Sequence, residues 1–244
     1  MKKRHLVYAI ALIVGMGACA ASAKKQAEAK PDVWKSYNVG TVLFEDKASE
    51  TKGSDIYHRI IPDAESYIKE QARTVLATLY NSPEDSITPV NKIHYTLEDI
   101  EGISAKGGGN GDVTIFYSTR HIEKSFAKND TAKLFFETRG VLLHELTHAY
   151  QLEPQGIGSY GTNRVFWAFI EGMADAVRVA NGGFDGPNAR PKGGNYMDGY
   201  RTAGYFFVWL RDNKDPEFLR KFNRSTLEVI PWSFDGAIKH ILGN

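Results

Sequence analysis

The chain has 244 residues, of which 42% are hydrophobic and 24% charged, a composition that excludes a disordered or collagenous chain and suits one large domain with its own core. Its 1 Cys excludes an intramolecular disulfide, a Cys-rich zinc knuckle and an iron–sulfur cluster. Residues 1–30 carry six cations and one anion, leaving 24 cations against 28 anions in the remainder, so the body lacks the concentrated positive patch of a nucleic-acid binder and no nucleic-acid partner is expected.

Residues 1–23 read as a signal peptide. Lys2, Lys3 and Arg4 form a basic start, and residues 6–17 an apolar stretch, well short of the about 20 residues that span a bilayer. No later segment reaches that length, so the protein is expected to be exported. Met16-Gly17-Ala18-Cys19 has the small residues of a bacterial lipobox ahead of the cysteine. On that reading Cys19 carries a lipid anchor, the sole membrane contact, and the protein is an outer-membrane or periplasmic lipoprotein. Cleavage after Ala21-Ser22-Ala23, which releases a soluble secreted protein, is the alternative. Residues 24–38 read as a tether.

A single domain is expected over residues 39–244. Residues 39–45 (VGTVLFE) read as a strand. Pro62, Asp63 and Glu65 open a helix that runs to about Tyr80 and stops at Asn81-Ser82-Pro83. Residues 90–97 alternate as a strand does. Residues 106–111 (KGGGNG) read as a turn; no helix start follows them, which argues against a phosphate cradle. Residues 112–118 form the next strand. Asp130 or Thr131 caps a helix running to Gln151, with Gly140 placed to bend or divide it. A second helix spans residues 164–180 and stops at Asn181-Gly182-Gly183. A Gly/Pro-rich loop precedes helices at about 197–212, 216–223 and 233–242, with Trp167, Trp209 and Trp232 as core anchors. Strands mixed with one helix, followed by a mainly helical half, define an α+β fold.

The chemistry concentrates at His144-Glu145-Leu146-Thr147-His148, an HExxH. A spacing of four puts both imidazoles on one helix face, where two neutral nitrogens can grip one Zn2+. Glu145 falls beside the metal as a general base for water. Its neighbours are almost all apolar, and two His and a Glu buried without partners would cost several kcal/mol, on the order of the desolvation of each group. A catalytic zinc takes three protein ligands and keeps one open position. A third His at the metzincin spacing would fall on Pro154, which excludes that class. Glu171 and Asp175 share a face of the next helix among apolar residues. Glu171 as third ligand, with Asp175 holding an imidazole N–H, completes a thermolysin-like set.

The runs GVLLHELTHAYQ (residues 140–151) and FIEGMADAVR (residues 169–178) resemble the plant basic secretory protein family and its bacterial relatives. The family pattern is matched at Glu171, Gly172, Ala174, Asp175, Val177 and Arg178, then at Gly199, Tyr200 and Phe206. Residues 111–117 resemble the strand ahead of the family's active-site helix. The likeness covers roughly residues 40–240. It implies a zincin-like metallopeptidase domain with one Zn2+ per chain and a peptide or protein substrate.

Peptide-bond hydrolysis also needs a donor for the developing oxyanion. Tyr200 is the candidate because it opens a helix after a flexible loop; His121, Tyr160 and Arg201 are rivals. The strand at residues 112–118 could pair with an extended substrate, if it lies at a sheet edge, and the loop at 182–195 could wall the cleft. Two other functions stay open: hydrolysis of a non-peptide amide, and a surface-anchored zinc-containing binding protein without catalysis.

Overall fold

The structure, a computed structural model, describes residues 32–126, 130–186 and 189–243. The expected signal peptide, Cys19 and the first part of the expected tether lie outside the described residues. The last part does not behave as a tether: Trp34 is buried in the hydrophobic core, because a large apolar ring gains more from burial than the chain loses by ordering.

Four strands, β1 (Thr41–Asp46), β2 (Lys92–Glu98), β3 (Ser104–Gly109) and β4 (Asp112–Ser118), make one sheet in the order β1-β2-β4-β3. The first, second and fourth are parallel, and β3 is antiparallel to β4. Period-two burial sets the register: Ile93, Tyr95 and Leu97 lie opposite Val113, Ile115 and Tyr117, all buried. The parallel β1–β2 pair needs a crossover, supplied by α1 (Lys52–Ile60) and α2 (Ala64–Leu79). Asp63 caps α2 by accepting the Ser66 N–H.

The glycine-rich segment departs from expectation. Lys106, Gly107, Gly108 and Gly109 belong to β3, and only Asn110 and Gly111 turn, with φ of 53° and 84°. Two successive positive φ angles are those of a type I′ hairpin turn, whose twist matches the flanking strands. The strand at residues 112–118 is therefore interior, and β3 forms the sheet edge beside it.

The remaining helices are α3 (Thr119–Ser125), α4 (Thr131–Tyr150), α5 (Arg164–Ala180), α6 (Tyr200–Asn213), α7 (Phe218–Glu228) and α8 (Phe234–Leu242), with a 3-10 turn at Tyr196–Asp198. None of the described helices is long and apolar enough to cross a membrane. The helix α4 passes through Gly140 unbroken. A Cβ there would lie 2.3 Å from Arg178 Nε, so the glycine makes room for an arginine rather than a bend. Two more glycines bring α5 and α6 close: a Cβ on Gly172 would lie 2.7 Å from the Ala203 Cβ, and one on Gly204 2.8 Å from the Ala176 nitrogen. Beneath them Phe169, Phe207, Phe222, Trp232 and Phe234 pack ring against ring. Trp232 is a core anchor as expected, whereas Trp209 is exposed and Trp167 only half-buried.

Candidate metal centre and cleft

Asp130 caps α4 by accepting the Lys133 N–H. At the other end Tyr150 donates to the Val39 carbonyl at 2.8 Å, and the Tyr80 hydroxyl donates to the Tyr150 carbonyl at 2.6 Å. With Leu142, Leu143, Leu146, Thr147 and Ala149 buried, the last turns of α4 are fixed against the sheet and α2. His144 and His148 then project side by side into a cleft of about 370 Å3, which Glu145, Tyr160, Glu171 and Tyr200 also line.

The two Nε2 atoms lie 3.1 Å apart. From α5, Glu171 Oε2 comes within 3.3 Å of His144 Nε2 and 3.7 Å of His148 Nε2. Ligands at about 2.0–2.1 Å around a tetrahedral ion are about 3.3–3.4 Å from one another, so this spacing fits one metal. His144, His148 and Glu171 together could hold a metal ion.

The surroundings of each donor agree. Asp175 Oδ1 lies 2.7 Å from His144 Nδ1, so the ring donates from Nδ1 and leaves its Nε2 lone pair toward the cleft. The Gln151 amide lies 2.9 Å from His148 Nδ1, and Gln151 Oε1 is buried without a partner. Half a turn of that amide gives Nδ1–H its acceptor and turns the His148 Nε2 lone pair to the same point. The second oxygen of Glu171 accepts the Tyr160 hydroxyl at 2.6 Å, so Glu171 presents one oxygen to the imidazoles.

Charge also favours a cation. Glu145, Glu171 and Asp175 are all buried, and three carboxylates in one buried cluster need positive compensation. Without metal a proton supplies it. Burial alone would lower His144, but hydrogen bonds to Asp175 and Glu171 and the nearby carboxylate charges raise it to about 10. Burial and the charge of His144 push His148 down to about 3. Burial raises the carboxyl of Glu145, and the charge of Glu171 adds to this against the opposing His144, Ser104 and Lys106 N–H.

A family model described as "BSP: Peptidase of plants and bacteria" matches residues 39–244. The chain belongs to this family. Searches of the curated proteins and of the solved structures return no significant match.

This BSP-family chain brings His144, Glu145, His148, Glu171 and Tyr200 to one cleft, with Asp175 behind His144. Tyr200 has φ of 41°, an unusual conformation for an aromatic residue and one that proteins retain mainly at functional positions. Its ring lies parallel to His144 at 6.1 Å and edge-on to Trp167 at 5.3 Å. Of the rivals, only Tyr160 reaches the cleft. His121 pairs with Glu137 at 3.3 Å, and Arg201 lines a neighbouring recess. The strand facing the cleft is β3, whose Ser104, Ala105 and Lys106 line it, not β4.

Sequence reading missed Gln151 and Tyr160 as hydrogen-bond partners of His148 and Glu171. Gln151 follows His148 by three and so shares its helix face, a usable signal. Tyr160 sits in a loop, and nothing local in the sequence points it at Glu171.

Proposed function

We propose that the protein is an exported zinc-dependent metallopeptidase with a zincin-like active site. The observation that carries this reading is the convergence of His144, His148 and Glu171 on one point beside Glu145, in a chain of a peptidase family. Two imidazoles and one carboxylate are the donor set of catalytic zinc. Bound there, zinc supplies Lewis acidity, which polarises the scissile carbonyl and acidifies water.

The protein's own residues supply the rest. Glu145 takes a proton from the attacking water and delivers it to the amine as the C–N bond breaks. Its environment, which raises its affinity for a proton, suits that relay. Tyr200 holds its proton, because burial and then the charges of Glu171, Asp175 and Glu145 raise its pKa. With no hydrogen-bond partner among the described residues, its hydroxyl is available to the developing oxyanion. Tyr160 spends its proton on Glu171 and acts on that ligand. The edge of β3 offers backbone N–H and C=O groups to an extended substrate. The basic and apolar start of the chain supports export, with Cys19 as the lipid-anchored residue.

The test is metal analysis and peptide cleavage by the chain lacking residues 1–23. We expect about one zinc per chain, lost or weakened in His144→Ala and Glu171→Ala. In Glu145→Gln zinc should stay while kcat falls by about 10²–10⁴-fold. Undiminished cleavage by Glu145→Gln overturns the mechanism. A chain that binds no metal, with ligand variants as stable as the parent, overturns the enzyme reading in favour of a binding protein.

A further inference from the structure

Beside the catalytic cleft, and sharing Tyr200 with it, lies a recess of about 420 Å3 at the start of α6. Arg190, Lys192 and Arg201 line it, and all three are exposed. None makes an ion pair among the described residues. The recess contains one acid, Asp198, whose carboxylate accepts the Asn195 N–H at 2.8 Å and closes a capping box. The two guanidinium groups are placed by aromatic rings instead of acids. Arg190 lies 5.5 Å from the centre of the Tyr205 ring, and Arg201 5.3 Å from that of Phe184. Cation–π contact of this kind holds the plane of an arginine and leaves its N–H fork free. A fourth cation, Arg164, stacks on Trp167 at 3.6 Å, and Trp167 in turn packs edge-on against Tyr200.

Three unpaired cations on one side of the cleft, two of them placed by aromatic rings, contrast with a body whose anions outnumber its cations. We infer that this recess binds a substrate carboxylate on the Tyr200 side of the scissile bond, so that the enzyme prefers anionic peptides. The inference rests on the peptidase reading above. The carboxylate belongs either to an Asp or Glu side chain or to the free C-terminus of the substrate; both present the planar pair of oxygens that an arginine fork grips.

The zinc-loaded protein is tested on three peptides of one neutral sequence: both ends blocked, both ends blocked with Glu substituted at successive positions, and C-terminus free. We expect kcat/KM at least about tenfold higher for one of the two anionic forms, the factor supplied by a single charge-assisted hydrogen bond. The gain should shrink as salt rises. It should vanish in the combined variant Arg190→Gln, Lys192→Gln, Arg201→Gln, with cleavage of the blocked neutral peptide and zinc content unchanged. A Glu effect assigns a side-chain subsite; a free-terminus effect assigns a terminal carboxylate site. Equal rates on all three peptides, or a preference that survives the combined variant, overturn the inference and leave the peptidase reading intact. If none of the peptides is cleaved, the peptidase reading fails, and anisotropy of fluorescent versions bound to Glu145→Gln decides the recess alone. Tighter binding of an anionic peptide, lost in the combined variant, upholds it; equal binding of neutral and anionic peptides overturns it.

Discussion

The meeting of His144, Glu145 and His148 in one cleft was legible in the sequence because a helix converts a spacing of four into contact, and only the helix had to be inferred. Glu171 and Asp175 were legible for the same reason, as acids four apart among apolar residues. What the spacing did not carry was the division of labour in support: Asp175 serves His144, Gln151 serves His148, and Tyr160 serves Glu171. These contacts suggest a graded response. Asp175→Ala removes the acceptor of a buried imidazole N–H and should weaken metal binding by about 10–100-fold, measured by competition with a chelator. Tyr160→Phe removes a donor from an oxygen that faces away from the imidazoles and should weaken it less. Equal losses in the two variants would show that the carboxylate, not the imidazole, limits the site. Other histidines sit in surface ion pairs: His58 with Asp46, His94 with Glu45 and His240 with Glu228.

At the scale of elements, α2, α4 and α5 were readable from caps and long apolar periods. The nine-residue α1 and seven-residue α3 were not, since segments so short show barely two turns of period and owe their helicity to packing, although the equally short α8 was read. The strand β3 has almost no strand-forming side chains and exists through its pairing with β4; the Asn-Gly pair was the signal for it. Gly140 provides a sharp test of packing against propensity. In an exposed helix, Gly→Ala gains about 1 kcal/mol. Here the new methyl meets the Arg178 guanidinium, which is buried, bound to Glu137 at 2.7 Å and stacked on Phe184 at 3.9 Å. We expect Gly140→Ala to destabilise by about 1–3 kcal/mol, as overpacking does, seen as a lowered melting midpoint. A raised midpoint would refute the space-making role. Gly204→Ala meets backbone of α5 rather than a movable side chain, so it should also displace Tyr200 and lower kcat.

For the whole molecule, the α+β class was readable from element order, while the identity of the edge strand depended on one hairpin. The candidate metal ligands His144, His148 and Glu171 come from two helices, α4 and α5, so an ion that binds only the folded chain should stabilise all of it. At a free metal concentration about 100 times Kd the gain is about 2.7 kcal/mol. For a domain of this size that is a melting shift of roughly 5–10 °C, reversed by a chelator and absent in His144→Ala. An unchanged midpoint would place the ion outside the folded core. The open edge of β3 has a consequence for life in a crowded solution. A strand border available to a guest is available to copies of the same chain, the usual beginning of edge-to-edge aggregation. Gly107, Gly108 and Gly109 blunt that risk, since a strand without side chains holds a partner weakly. Lys106 adds a charge that two copies would have to bring together. A border of this kind releases what it pairs with, a property that would serve the proposed turnover as much as solubility.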